Sequence, residues 1–321
     1  MDRKRLKNPH DRFVRHVFGQ PPRMLELMRI GLSDDVLRML DLTTLIPAKE
    51  SFIDETLGEN LSDLVFTSRL ANGDDEDAVI AVLFEHKSAA DVLTAFQVLR
   101  YIVRIGDERV RSGLRPCCVI PLVLYHGAEP WKVARNMQEL VNAPMPLREF
   151  VPHFTLPIID LSGIADEELQ EQSLSQVELL VLKYIRRPDL RERLPQILRL
   201  CLQLQSTRTG LESLEALLRY VYGAVDNLTL NELRTIVLTA LPEQGPELMP
   251  TIEETLTREA REEGREEGRE EGREEGSRIG RIQTLQEILG RNVSSREELL
   301  ELSEDESQRL VKELNEAVKN Q

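Results

Sequence analysis

The stretch from residue 61 to residue 87 decides the fold of this chain. Residues 61–70 read LSDLVFTSRL, residues 71–77 read ANGDDED, residues 78–84 read AVIAVLF, and residues 85–87 read EHK. Two apolar, β-branched runs on either side of a polar turn with an Asn-Gly pair predict an antiparallel hairpin. If the strands fold back near residue 74, Asp63 and Glu85 lie opposite each other at the open end of the hairpin.

Side chains alternate along a strand, so Glu85 and Lys87 are expected on one face and His86 on the other. Two carboxylates close together bind a hard cation such as Mg²⁺ through oxygen, and a bound cation activates water and polarises a phosphoryl oxygen. A lysine beside them can position that water or neutralise developing negative charge. The alternative is that Asp63 caps a strand end while Glu85 and Lys87 form a surface pair.

The surrounding sequence predicts helices and strands in a mixed order. The predicted helices are one that starts at Pro9 with Asn8 as its cap, one after Pro22, one over 33–42 and one over 89–111. The predicted strands lie over 51–53, 61–70, 78–84, 117–125 and 154–160. Residues 1–160 are therefore expected to form a mixed α/β domain. Residues 161–256 show almost only helical patterns and predict a helical domain.

The C-terminal region contains a repeat. Residues 261–276 are four copies of Arg-Glu-Glu-Gly, and four glycines weaken an isolated helix by about 1 kcal/mol each. Residues 257–280 are interpreted either as a flexible or partly helical spacer, or as a helix whose glycines let a partner helix approach. Residues 281–321 predict a small helical module, with an apolar face at Ile282, Leu285, Ile288 and Leu289 and capping boxes starting at Ser295 and Ser303.

Composition limits the classes of function. The 321 residues carry a net charge of −15, which argues against a strong general affinity for phosphate. Residues 1–160 have 20 Lys and Arg against 23 Asp and Glu, whereas residues 161–321 have 21 against 33. No apolar run approaches the ~20 residues of a membrane helix, and no signal peptide is visible. The three cysteines are expected to be reduced, with Cys117 and Cys118 buried, and the protein is expected to be cytoplasmic.

Other kinds of site find little support in the sequence. The five histidines have no spacing suited to zinc, and there is no glycine-rich phosphate loop and no Gly-X-Ser-X-Gly motif. The acidic run at 74–77 is interpreted as a solvated turn, since it lacks the length and spacing of a calcium loop.

Five segments together resemble a known family. They are NPHDRFVR at 8–15, NLSD at 60–63, VLFEHKS at 82–88, LRY at 99–101 and PLVLYHG at 121–127. They look like the Rpn family of bacterial recombination-promoting nucleases, also called YhgA-like transposases, of the PD-(D/E)xK nuclease superfamily. The strong similarity covers residues 8–127.

This resemblance implies an α/β, PD-(D/E)xK-like core with a mixed sheet flanked by helices, and a DNA endonuclease that depends on Mg²⁺ (or Mn²⁺). Asp63 and Glu85 would be the metal ligands and Lys87 the third catalytic residue. Many relatives have Gln at the position of Lys87, so this chain departs towards the wider superfamily pattern. Further candidates for contact with DNA or with the site carboxylates are His10, Asp11, Arg15, Gln97, Arg100 and Tyr101; taken alone, Gln97 and Arg100 are also ordinary solvated helix residues.

The sequence thus favours a cytoplasmic, Mg²⁺-dependent DNA endonuclease acting on recombining, mobile-element or phage DNA. It is expected to form a homo-oligomer through its C-terminal region and to have no membrane partner. The alternative is a non-catalytic DNA- or protein-interaction protein of transposase descent, which also oligomerises through that region.

Overall fold

The computed structural model describes residues 8–48, 64–71, 79–170, 175–204 and 207–319. Within these ranges the side chains of residues 79–86, 170, 203–204, 207–212, 263, 267, 270, 271, 304, 305 and 319 lie outside what it describes. By its contacts the chain divides into a unit of residues 5–254 and a unit that contains residues 255–319. The expected domains 1–160 and 161–256 fall almost entirely in the first unit. The four-part domain organisation stays a prediction.

A five-stranded mixed sheet forms the centre of the first unit. Its strands are β1 (Leu40–Pro47), β2 (Leu64–Leu70), β3 (Val79–Lys87), β4 (Val119–Tyr125) and β5 (Ile158–Asp160), and they are ordered β1-β2-β3-β4-β5. The first three strands are antiparallel neighbours, while β3, β4 and β5 run parallel. The predicted hairpin and its register are confirmed over the described residues, since Leu64 lies opposite Phe84.

Strand β1 corrects the prediction of a helix over 33–42. Helix α3 (Asp34–Arg38), capped by the Ser33 hydroxyl, ends before the strand begins. An irregularity in β1 follows from local hydrogen bonds: the Thr44 hydroxyl donates to the Asp41 carbonyl and accepts from the backbone N–H of Arg69. Such a bulge hides the alternation that marks a strand in the sequence. The strand predicted over 51–53 and the acidic turn at 74–77 lie outside the described residues.

Helices cover both faces of the sheet. Helix α4 (Thr94–Arg111) joins the parallel strands β3 and β4, and its Ala95, Val98 and Ile105 form a core with Val65 and Val123. Since Leu122 and Val123 point to opposite faces, contacts to Leu122 define the other face. There α2 (Pro21–Gly31) approaches so closely that a Cβ on Gly31 would lie 2.4 Å from Leu122 Cδ1.

Several predicted boundaries and environments need correction. Asn8 precedes α1 (Pro9–Phe18) with a left-handed φ of 48° and no capping bond from its side chain. Strand β4 starts at Val119, after the exposed Cys118, so this thiol is not buried. Pro121 is accommodated because β5 pairs with β4 only from Val123 onwards, so the missing N–H of Pro121 leaves no bond to β5 unmade.

The helical prediction beyond residue 165 is confirmed. The remaining helices of the first unit are α5 (Met137–Val141), α6 (Asp166–Gln170), α7 (Gln176–Tyr184), α8 (Leu190–Leu204), α9 (Thr207–Ala224) and α10 (Leu230–Ala240), with a 3₁₀ helix at Met145–Phe150. Helix α9 packs on α1, because the rings of Tyr220 and Phe13 stack with centroids 4.1 Å apart. The helical region therefore reaches the N-terminal helix of the sheet domain.

Over its described residues, the second unit contains three helices: α11 (Gly245–Ile288), within which the unit boundary falls, α12 (Arg296–Leu300) and α13 (Glu304–Lys319). Residues 261–276 are helical throughout, which corrects the expectation of a flexible or only partly helical segment, while the role of the repeat as a spacer stays a prediction. A Cβ at Gly268, Gly272 or Gly276 would meet nothing within 4 Å. Ile282, Leu285 and Leu314 belong to the apolar core of this unit.

Local signals in the second unit are largely confirmed. Ser295 with Glu298, and Ser303 with Glu306, exchange the reciprocal bonds of capping boxes. Ile288, expected on the apolar face, is instead 57% exposed. Among the described residues, no helix combines the length and the apolar content that crossing a bilayer requires.

Candidate active site

The carboxyl ends of β3 and β4 meet at one edge of the sheet. Lys87, the last residue of β3, pairs with Tyr125, the last residue of β4, and the N–H of His126 donates to the Lys87 carbonyl over 2.9 Å. Glu85 lies in the same strand, opposite Val123. The carboxyl edge of parallel strands is where open α/β sheets commonly bind ligands, so this edge is the natural place to look for a site.

The side chain of Lys87 is held by the first turn of α4. Its Nζ donates to Oε1 of Gln97 over 2.8 Å, and Nε2 of Gln97 donates to Oδ2 of Asp91 over 2.7 Å. The backbone N–H of Leu93 donates to the other oxygen of Asp91. This backbone bond lowers the pKa of Asp91 against a smaller opposing effect of burial, with further lowering by Gln97 and the charge of Lys87. The half-buried ammonium is thus fixed through a neutral amide to an ionised carboxylate.

A second group of polar side chains surrounds the ends of the same strands. His10 Nδ1 and the Tyr220 hydroxyl share a hydrogen bond of 2.7 Å, and the His10 ring lies 5.3 Å from that of the buried His126. Burial raises the pKa of Tyr220 well above its usual value, which keeps the hydroxyl protonated. Arg186 donates to Ser88 Oγ over 2.9 Å and lies 3.4 Å from His10 Nε2. Residues from α1, from the segment after α7 and from α9 therefore converge at this edge.

The remaining predicted site residues have different surroundings. Asp63 and the Glu85 side chain lie outside the described residues, so the role assigned to these two carboxylates stays a prediction. Arg15 is exposed and pairs with Asp11 over 3.1 Å on the surface of α1. Arg100 is exposed on α4, and Tyr101 is partly buried against the core of that helix. Within the described part of the chain, no three Asp, Glu, His or Cys side chains cluster as a metal site would require.

Sequence reasoning missed part of this arrangement. The sequence alone indicates no role for Asp91, Ser88, His126, Arg186 or Tyr220. Arg186 contacts a residue 98 positions away, and Tyr220 contacts His10 across 210 positions. No local pattern signals contacts of that length.

A cleft of about 920 Å³ opens beside these residues. It is bordered by the start of α1, the segment between α7 and α8, and the segment between α9 and α10. Its lining includes His10, Arg186, Arg187, Arg191, Asp226 and Asn227. The cleft and the sheet edge therefore share two residues, His10 and Arg186.

Comparison with known families assigns this mixed-sheet protein to one of them. Residues 8–212 match the family described as "Putative transposase, YhgA-like", and the chain belongs to this family. The matched range contains all five strands, Lys87, Gln97 and Arg186.

Individual relatives carry more specific names. The chain is similar to recombination-promoting nuclease RpnA of Escherichia coli strain K12, with 26% identity over 251 residues, 78% of this chain and 84% of that protein. It is also similar to recombination-promoting nuclease RpnD of Escherichia coli O157:H7, with 26% identity over 75% of this chain and 91% of that protein. A further relative, 26% identical over 59% of this chain and 63% of its own length, is named inactive recombination-promoting nuclease-like protein RpnE of strain K12. No solved structure matches the chain.

Proposed function

We propose that this protein is a Mg²⁺-dependent DNA endonuclease with a PD-(D/E)xK-type core, acting in the cytoplasm on recombining, mobile-element or phage DNA. The observation that carries the proposal is the position of Lys87. It ends β3 two residues after Glu85, and its ammonium is held in place by Gln97. Family membership and the names of RpnA and RpnD support the same activity.

The proposed cation site consists of Asp63 and Glu85. Asp63 directly precedes Leu64 and Glu85 directly follows Phe84, and those two neighbours are paired across the hairpin. A donor set of carboxylate oxygens fits Mg²⁺ or Mn²⁺, which prefer oxygen ligands. When bound, such an ion polarises a phosphoryl oxygen and lowers the pKa of a coordinated water.

The proposed role of Lys87 is electrostatic. Its ammonium would lie beside the phosphate under attack and stabilise the negative charge that develops on the phosphoryl oxygens. Gln97 fixes the lysine at a set position without neutralising it, because an amide oxygen accepts the hydrogen bond but carries no net charge. Asp91 in turn orients the amide. Pre-orientation of this kind is what makes a charged group effective in catalysis.

A second candidate function is non-catalytic binding of DNA or protein. It is favoured by one observation: a relative as similar as RpnA in percentage identity is named inactive. In both candidates we propose that the C-terminal region mediates homo-oligomerisation, with α11 as the contact helix.

A plasmid-nicking assay distinguishes the two functions. Wild type, Asp63→Ala, Glu85→Ala and the control Glu149→Ala, which removes an exposed carboxylate from the 3₁₀ helix, are compared in Mg²⁺ and in a chelator. We expect Mg²⁺-dependent nicking by wild type and Glu149→Ala, and a loss of about 10²–10³-fold in the two site variants. Equal nicking by all four proteins would indicate a contaminating nuclease and contradict the enzymatic function.

A further inference from the structure

The cleft beside the sheet edge has a cationic lining. Its lining contains three arginines, Arg186, Arg187 and Arg191, together with His10. Among the lining residues in the described part of the chain, one carries a carboxylate, Asp226. Glu232 lies next to it and pairs with Arg191 at 3.4 Å. The chain as a whole carries a charge of −15, so this concentration of guanidinium groups runs against the general charge of the protein.

All three arginines are fixed by contacts, and Arg186 and Arg191 keep exposed side chains. Arg191 donates to the Asn227 carbonyl over 2.7 Å while its side chain remains 45% exposed. Arg187 donates to the Ser162 carbonyl and lies over the Tyr184 ring, with its guanidinium 5.4 Å from the ring centre. Arg186 is exposed and donates to Ser88. These contacts orient the side chains before any ligand arrives.

Helix α8 adds to the positive potential of the cleft. Its first residues, Leu190 and Arg191, belong to the cleft lining. The N-terminus of a helix carries a partial positive charge, which favours anions. Guanidinium groups beside such a terminus match the geometry of phosphate oxygens, which they bind through paired hydrogen bonds.

The cleft adjoins the candidate active site directly. Arg186 contacts Ser88, the residue after Lys87, and the ring of His10 lies beside that of His126, the residue after β4. A nucleic acid strand with one phosphate at Lys87 therefore has its neighbouring phosphates close to the mouth of the cleft.

We infer that this arginine cleft binds the phosphate backbone of the DNA strand that passes Lys87. The inference rests on the proposed function, because that function supplies the DNA. It adds a binding surface contributed by the helical region, and it explains how a protein with a charge of −15 holds a polyanion near its sheet edge.

The test is DNA binding measured without catalysis. Fluorescence anisotropy of a short fluorescein-labelled DNA duplex is recorded in EDTA, over NaCl concentrations from about 50 to 200 mM. The full-length proteins are wild type, Arg186→Ala, Arg191→Ala and Arg199→Ala. Arg199 is an exposed residue of α8 outside the cleft, so its loss removes the same charge from the same helix as Arg191→Ala. Melting curves check that each variant is folded, and the exposed position of Arg186 makes its substitution safe for the core.

We expect Arg186→Ala and Arg191→Ala to weaken binding by about 10-fold at low salt, and to reduce the slope of log Kd against log salt by about one. Arg199→Ala is expected to stay within about twofold of wild type. Equal weakening by all three variants would mean that only net charge matters, and would overturn the inference. Unchanged binding in the two cleft variants would overturn it as well.

The outcome is separable from that of the nicking assay. A wild type that nicks plasmid in Mg²⁺ but binds DNA independently of Arg186 and Arg191 contradicts the cleft alone. If the wild type never nicks plasmid but DNA binding is lost specifically in the two cleft variants, the nuclease function is contradicted. The cleft is then supported as the DNA-binding surface of a non-catalytic protein.

Discussion

Two lysines of the first unit have different described partners. Lys183 on α7 is 6% exposed and donates to the Asp166 carboxylate and to the Ile164 carbonyl. Asp166 also accepts from the Tyr184 hydroxyl over 2.7 Å and from Arg193 over 3.1 Å. Lys87 at the end of β3 is half-buried and donates to Gln97, a neutral amide. The first lysine pairs directly with a carboxylate, whereas the described bond of the second is to an amide that is itself bonded to the Asp91 carboxylate.

This difference in partners predicts that Lys183 contributes to folding stability and that Lys87 contributes to the proposed activity. A buried charge is tolerated when an opposite charge lies beside it, and the Lys183 cluster meets this condition. Burial alone would raise the pKa of Asp166, but hydrogen bonds from Lys183 and Tyr184 and the charges of Lys183 and Arg193 lower it overall. In the same cluster, the pKa of Tyr184 is raised to about 12, mainly by burial and to a smaller extent by its hydrogen bond to Asp166. The bond from Lys87 to the neutral Gln97 amide is consistent with the electrostatic role proposed for this lysine.

The largest expected effect is on activity, in Lys87→Met. This change removes the ammonium but keeps most of the side-chain stem. We expect nicking to fall by about 10²–10³-fold, since one charge that stabilises the transition state is lost, while the melting temperature stays within a few degrees of wild type. Initial nicking rates and thermal melts of the same preparations check both parts. Nicking within threefold of wild type would remove Lys87 from the proposed mechanism.

The matched change Lys183→Met is expected to reduce stability and leave activity unchanged, the reverse of Lys87→Met. It takes the cation away from a partly buried carboxylate, and Tyr184 and Arg193 still contact Asp166. We therefore expect a loss of about 2–3 kcal/mol rather than the 3–5 kcal/mol typical of a fully buried pair. Urea unfolding measures this loss. The nicking rate per folded molecule is expected to match wild type, and a selective loss of activity in this variant would contradict the separation of the two lysines.

A smaller effect is expected for Gln97→Ala, which leaves Lys87 in place but removes the amide that orients it. We expect about a 10-fold loss of nicking rate, within the range seen when groups that orient catalytic ligands are removed. Gln97→Glu is the informative partner, because a carboxylate at this position would neutralise Lys87 and reduce the rate further. A Gln97→Glu variant as active as wild type would show that the charge of Lys87 is not used.

The smallest effect concerns acid stability. The pKa of Asp166 is lowered in the folded state, so its pairing stabilises the protein above the ordinary value of 3.8 and this stabilisation is lost as the pH falls through the folded pKa. Asp166→Asn lacks the charge at every pH. The difference in melting temperature between wild type and Asp166→Asn should therefore shrink from about pH 6 to below 3.8. A difference that stays constant over this range would contradict the assigned pairing.

The sheet edge was predictable in part because its signals are local. Two apolar runs around an Asn-Gly turn define a hairpin and its register, and the pairing of Leu64 with Phe84 follows from them. The parallel strand that ends at Tyr125 was visible as an apolar run that stops at His126 and Gly127. In contrast, β1 was hidden because the Asp41 and Thr44 bonds interrupt its alternation.

The contacts that complete the site were not predictable. The bond from Lys87 to Gln97 depends on where α4 begins, and that helix starts at Thr94 rather than at Ala89. Tyr220 and Arg186 reach the edge only because the helical region packs against α1. Helical periodicity shows which face of a helix is apolar, but it carries no information about which distant element that face meets.

The most direct test of the proposed site is a titration with Mn²⁺ followed by electron paramagnetic resonance, since Mn²⁺ suits the same oxygen ligands as Mg²⁺. It reports on the carboxylates without relying on nuclease activity. We predict saturable Mn²⁺ binding by wild type and by Lys87→Met, and its loss in both Asp63→Ala and Glu85→Ala. Equal Mn²⁺ binding by wild type and the two carboxylate variants, or no binding by wild type, would contradict the assignment of Asp63 and Glu85 as the metal ligands of this protein.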